Sequence, residues 1–226
     1  MIVTEGTKLF DESNNSYIID SVIGHGGFGI VYKAYRESDK KPFAIKTMLS
    51  SFESEQDYFS FKNEVKSAIE INSEYVINYE YVHDGNVFNK LPPYIIMEFA
   101  NQGTLTNLFN VHVRKGEFFT NSELKEVFNQ LAVGMLEINK KLVHRDIKMD
   151  NILLSNEKVK ISDFGLSKFV NESTRTMTFK GYGSVLYVAP EAWKNEKNTI
   201  QMDIYSMGIV FYQLESVNTI ALKYKI

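Results

Sequence analysis

Apolar and polar positions alternate along much of the first hundred residues, and then the spacing changes. The runs YIIDSVIG (17–24), IVYKAYR (30–36) and KPFAIKTM (41–48) read as strands. In the second, Val31, Lys33 and Tyr35 oppose Tyr32, Ala34 and Arg36, the period of two that puts alternate side chains on opposite faces. Residues 54–71 turn helical, with Phe61, Val65, Ala68 and Ile69 on one stripe. Two more strand-like runs follow, VINYEYV (76–82) and YIIMEF (94–99), separated by a loop holding Gly85, Pro92 and Pro93. After Gly103 the period is helical. The clearest helix is 121–141, where Leu124, Val127, Phe128, Leu131, Met135, Ile138 and Leu142 recur at steps of three and four. Thr120 and Glu123 form a capping box in front of it. Short strands ILL (152–154) and KVKIS (158–162) flank a turn at Asn156, and a last helix is expected over 199–213. Residues 1–16 are polar and irregular. Strands first and helices afterwards predict an α+β chain in two lobes, with the boundary near residue 100.

Composition narrows the class. The 226 residues are 44% hydrophobic and 23% charged, which supports a sizeable core and excludes collagen-like, coiled-coil and disordered chains. Lys and Arg number 25 against 28 Asp and Glu, so a nucleic-acid-coating role is not expected. There is no cysteine, hence no disulfide, thiolate metal site or cysteine nucleophile. His25, His83, His112 and His144 are scattered and lack the spacing of a zinc hydrolase. No apolar run reaches membrane-spanning length, and the first residues lack the basic and apolar regions of a signal peptide. An intracellular, cytoplasmic protein without membrane or nucleic-acid partners is expected.

Three features carry chemistry. Gly24-His25-Gly26-Gly27-Phe28-Gly29 lies between two strands. A dinucleotide site would need a helix after it. A hairpin laid over phosphates fits the context, because glycine lets backbone N–H groups approach oxygen without a Cβ in the way. Taken alone, the run also fits an ordinary glycine-rich turn. Lys46, flanked by Ala44 and Ile45 in an apolar strand, is costly to bury without a carboxylate or phosphate partner. Glu64, on the helical stripe, is a candidate partner; alternatively Lys46 snorkels to solvent and Glu64 is solvated. The third feature is a series in fixed order: His144-Arg145-Asp146-Ile147-Lys148-Met149-Asp150-Asn151, then Asp163-Phe164-Gly165, then Ala189-Pro190-Glu191.

With these motifs the chain resembles the eukaryotic protein kinase family, Ser/Thr type, over about residues 17–214; Asp203-Ile204-Tyr205-Ser206-Met207-Gly208 extends the likeness. The resemblance implies a two-lobed protein-kinase-like fold. Residues 1–16 would be an irregular extension, 17–100 a β-rich small lobe and 101–226 a helical large lobe lacking its last helices. It implies ATP and Mg2+ as cofactors and transfer of the γ-phosphoryl group to Ser/Thr hydroxyls of proteins. Lys46 would contact the α and β phosphates with Glu64 holding it, and Asp163 and Asn151 would hold the metal. Asp146 would be the base and Lys148 would neutralise the γ-phosphate. Gly24, His25, Gly26, Gly27, Phe28 and Gly29 would cover the phosphates. Val31, Ala44 and Leu153 would sandwich the adenine, Glu98 and Ala100 would offer it backbone groups, and Met97 would gate the space behind.

Lys148 and Ser184 match the Ser/Thr type. Arg145 beside Asp146 resembles kinases whose activation loop is ordered by phosphorylation, and Thr176 or Thr178 would be the target of an upstream kinase. One departure concerns length. Family members continue after Leu214 through further helices, whereas ESVNTIALKYKI (215–226) matches none of them. A C-terminally truncated catalytic domain is therefore expected. The second reading is a catalytically weak or inactive module that binds nucleotide or partners.

Overall fold

The alternating runs pair into one antiparallel sheet. The computed structural model describes residues 3–26, 29–48, 65–85, 91–164, 184–194 and 199–224. The strands are β1 (Lys8–Phe10), β2 (Ser16–Gly26), β3 (Gly29–Arg36), β4 (Pro42–Met48), β5 (Tyr79–His83) and β6 (Tyr94–Glu98). Their order across the sheet is β1-β2-β3-β4-β6-β5. A second, two-stranded sheet pairs β7 (Ile152–Ser155) with β8 (Lys158–Ile161). The helices are α1 (helical over 65–69), α2 (Leu105–Lys115), α3 (Asn121–Asn139) and α4 (Ile200–Tyr224).

The capping box ahead of α3 is present. Thr120 Oγ1 accepts the Glu123 N–H at 3.2 Å, and Glu123 Oε2 accepts the Thr120 N–H at 2.7 Å. Thr104 and Asn107 repeat the device ahead of α2, which ends on Gly116 at φ 62, a left-handed position suited to glycine. None of the described helices is long and apolar enough to cross a membrane.

Three elements differ from the sequence expectation. Residues 1–16 are not simply irregular: β1 pairs with the start of β2, Leu9 opposite Tyr17. Leu9 and Val3 are buried, and the Tyr94 hydroxyl donates to Phe10 O at 2.6 Å. The N-terminal segment thus belongs to the small-lobe sheet. A three-residue strand is too short to display a period, so its alternation was invisible.

The run 76–82 divides between two partners. Strand β5 begins only at Tyr79, while Val76 forms a parallel bridge to Ile161 and Ile77 N–H donates to Ile161 O at 2.9 Å. The extended apolar stretch therefore links the small sheet to the large lobe. The last helix passes Gln213 and reaches Tyr224, consistent with a stretch free of Gly and Pro after Gly208.

The two faces of the large sheet feed different cores. Tyr32, Ala34, Phe43, Ile45, Tyr94 and Ile96 pack with Leu9 and Val3 on the outer face. Ala44, Ile95, Met97 and Tyr79, on the other face, join Leu131, Ile147, Ile161 and Phe164 of the large lobe in one continuous cluster. Gly134 of α3 permits this contact. A Cβ there would lie 2.9 Å from Ile161 Cδ1 and 3.0 Å from Tyr75 O.

Candidate active site

Register alone assembles the roof of a cleft between the lobes. Val31 is opposite Lys46, Ala44 is opposite Met97, and Met97 is opposite Tyr79. Cross-strand partners share a face, so these five side chains project together toward the large lobe. Ile23 sits at the register shift between Val22 and Gly24 and is about half exposed (48%).

The glycine hairpin is held close to β4. Gly24 pairs with Val31, and Gly26 with Gly29. A Cβ on Gly29 would come within 1.7 Å of Thr47 O, so any side chain there would push away the strand that carries Lys46. His25 is exposed on this hairpin. Gly27, Phe28, Glu64, Thr176 and Thr178 lie outside the described residues.

Lys46 is buried, and its ammonium meets Asp163 Oδ1 at 2.7 Å. Asp163 has φ 62, a left-handed backbone that an aspartate adopts more readily than most residues. Burial pushes its carboxyl up, yet the Lys46 charge and hydrogen bond hold it below the usual 3.8. Phe164 turns the other way into the core and stacks on Tyr79, ring centroids 4.7 Å apart.

A second polar cluster lies on the large-lobe side, following α3. Lys148 Nζ is 2.8 Å from Asp146 Oδ2. Asn151 Nδ2 donates to Asp146 O at 2.7 Å and to Oδ2 at 2.9 Å. These bonds use the amide nitrogen of Asn151, which leaves its Oδ1 as the atom offered to a cation. Asn151 Oδ1 and the Asp163 carboxylate are hard oxygen donors of the kind a divalent cation such as Mg2+ takes. The residues present fit such an ion. Among the described residues no group of three or more His, Asp or Glu could hold a metal by itself.

The backbone of this cluster hangs on Asp203 of α4, whose structural role the sequence did not disclose. Its carboxylate accepts the His144 N–H, the Arg145 N–H and Asn139 Nδ2, each at 2.8 Å. An aspartate set between Met202 and Ile204 near the helix start was the signal. Arg145 has φ 71, so the chain turns sharply as it delivers Asp146. The Asp146 N–H donates to His144 Nδ1 at 3.3 Å; the proton therefore sits on Nε2, which donates to Ser162 O at 3.0 Å. Burial lowers the His144 imidazole below 6.5 and keeps it neutral in this role.

Leu153 on β7, on the large-lobe floor of the cleft, is partly buried against the same cluster that includes Ala44 and takes Val31. The Glu98 N–H is taken by Asn78 O at 3.0 Å, which leaves the Glu98 carbonyl as the backbone group it can offer, with Ala100 two residues on. Met97 is buried between Ala44 and Tyr79. On the far side, Ser206 Oγ donates to Tyr187 O at 2.7 Å and ties the segment after Ser184 to α4.

Tyr79 makes a testable exception to the pairing of buried polar groups. Its hydroxyl is buried and has no hydrogen-bond partner among the described residues, and burial raises its pKa well above 10. Tyr79→Phe keeps the ring on Phe164 and removes the unpaired group. The expected result is a more stable protein, by up to about 1–3 kcal/mol in denaturant titration. A less stable variant would show that the hydroxyl is paired in solution.

The sequence pattern of the protein kinase domain matches residues 17–223. Similar curated proteins include a "probable serine/threonine-protein kinase" of Clostridium acetobutylicum, 35% identical over 205 residues, covering 89% of this chain and 30% of that protein. PknA of Corynebacterium glutamicum, named a serine/threonine-protein kinase, is 32% identical over 216 residues, covering 94% of this chain and 45% of its own length. The serine/threonine-protein kinase atg1 of Dictyostelium discoideum is 32% identical over 212 residues, covering 88% and 30%. The chain thus spans less than half the length of these relatives.

Proposed function

Because the chain belongs to the protein kinase family, we propose that it is an ATP-dependent protein serine/threonine kinase that moves the γ-phosphoryl group of Mg·ATP to Ser/Thr hydroxyls of proteins. The observation that carries this reading is the arrangement of two charged clusters at one cleft: Lys46 with Asp163, and Asp146 with Lys148 and Asn151.

Phosphoryl transfer asks mainly for positioning and charge neutralisation. Val31, Ala44 and Leu153 bind the adenine faces, and the hinge backbone at Glu98 and Ala100 meets its edge. Lys46, desolvated in its strand, attracts the α and β phosphates. Asp163 and Asn151 would hold Mg2+, which would supply charge neutralisation on the phosphates. Asp146 accepts the hydrogen bond of the incoming hydroxyl and takes its proton, and Lys148 draws the γ-phosphate toward it. Lys148 beside Asp146 and Ser184 before Ala189-Pro190-Glu191 favour Ser/Thr acceptors over tyrosine. Phosphorylation by an upstream kinase at Thr176 or Thr178 is part of this proposal, resting on Arg145 next to Asp146.

The test is a thermal melt of the chain with and without Mg·ATP, followed by transfer of γ-label to dephosphorylated casein. Binding to the folded state alone raises the midpoint, by about 2.7 kcal/mol of stability at a hundredfold excess over Kd. A shift with label on Ser and Thr is the expected result. A shift without transfer leaves the nucleotide-binding module as the reading, and no shift removes both.

A further inference from the structure

The segment that joins the lobes is fastened to the large lobe at both ends, and one fastening is ionic. At the far end, Gln102 N–H donates to Leu154 O at 3.0 Å, and Leu154 N–H donates to Gly103 O at 2.8 Å. At the near end, Glu98 turns its carboxylate to Lys160 on β8, 2.7 Å from Oε1 to Nζ, with side chains only 26% and 16% exposed. Glu98 Oε2 also accepts the Asn78 N–H at 3.3 Å. One carboxylate therefore spans a small-lobe backbone and a large-lobe ammonium. Lys160 is also the cross-strand partner of Leu153, so its stem lies beside the cleft floor.

Two other pairs cross the same boundary with the same polarity. Glu70 meets Lys141 at 2.9 Å, and Glu74 meets Lys158. Their side chains are 45–56% exposed, so solvent and salt screen them and they contribute little. They serve as built-in comparisons for the shielded pair.

We propose that Lys160 is a positioning residue for the nucleotide: through Glu98 it fixes the hinge backbone where Glu98 and Ala100 meet the adenine. The inference rests on the nucleotide-binding reading above. Removing the ammonium frees the Glu98 carboxylate and lets the hinge backbone wander, which weakens adenine binding. The phosphate-side residues stay in place, so the transfer step is untouched.

The experiment titrates a fluorescent ATP analogue into the full chain and measures KM for ATP and kcat alongside. Lys160→Met keeps the stem and removes the charge. Its Kd and KM are expected to rise about three- to tenfold with kcat within about twofold of the parent. Lys160→Arg recovers the affinity, because it restores the charge and donors. Lys158→Met changes neither constant. An unchanged Kd in Lys160→Met overturns the inference while nucleotide binding by the parent stands. An equal loss in Lys158→Met, a loss that Arg does not recover, or a faster kcat in Lys160→Met also overturns it. A parent chain that binds no nucleotide overturns both readings.

Discussion

Asp146→Asn is expected to keep nucleotide affinity and to lower the phosphotransfer rate by about 10²–10⁴-fold, the usual worth of a positioned proton acceptor. The substitution is nearly isosteric. The amide oxygen can still accept from Lys148 or Asn151, which hold Asp146 Oδ2 at 2.8 and 2.9 Å. What is lost is the ability to take a proton from the acceptor hydroxyl. Lys46 and Asp163 form the opposite cluster and are not altered, so the fluorescent ATP titration should superimpose on that of the parent. The thermal midpoint should move little, because the backbone anchor at Asp203 is intact. Labelling of casein at saturating ATP reads the rate. A variant as fast as the parent would remove Asp146 from the role of base.

The residues of the two charged clusters were legible in the sequence because their order along the chain is a resemblance carried by short, rigid motifs. The strands were legible for a different reason: β2 and β3 bury alternate positions, Tyr17 and Ile19 in one and Tyr32 and Ala34 in the other, whereas β4 and β6 are buried on both faces and read as short apolar runs. The same logic explains the failures. Strand β1 is three residues long and shows only one buried position, Leu9. The run 76–82 alternates like one strand but serves two partners, since Tyr75 O and Ile77 N–H bond to Ile161 in the other lobe.

Tyr79, Asp203 and Lys160 act through contacts across 85, 59 and 62 residues of chain respectively, to Phe164, His144 and Glu98. No local pattern announces a contact of that kind. An Asp between Met202 and Ile204 hints that donors converge on it, but only the fold says that they belong to the residues just before Asp146.

That convergence makes Asp203→Asn the second large effect, and it differs in kind from the first. Three donors reach one carboxylate at 2.8 Å: Asn139 Nδ2 and the His144 and Arg145 N–H groups. An asparagine offers one acceptor oxygen and turns an N–H2 group toward another donor. At least one buried N–H is then unpaired. Hydrogen bonds to charged groups are worth about 1.5–3 kcal/mol each, and an unpaired buried donor costs about 1–3 kcal/mol, so the expected loss is about 3–5 kcal/mol. Against a total of about 5–15 kcal/mol this is large, and it corresponds to a midpoint lower by about 6–20 °C for a chain of this size.

The rate should fall as well, because His144 and Arg145 deliver Asp146, and a displacement of about 1 Å at the base costs about 10²-fold. Asn139→Ala separates anchoring from a general loss of packing. It removes one donor and leaves both backbone bonds, so its midpoint should fall by much less than that of Asp203→Asn, and its rate should stay near that of the parent. Melting curves and label transfer on the three proteins decide the matter. If Asp203→Asn melts and turns over like the parent, the backbone before Asp146 is held by something other than this carboxylate. If it melts lower at an unchanged rate, Asp203 stabilises the lobe without setting the base.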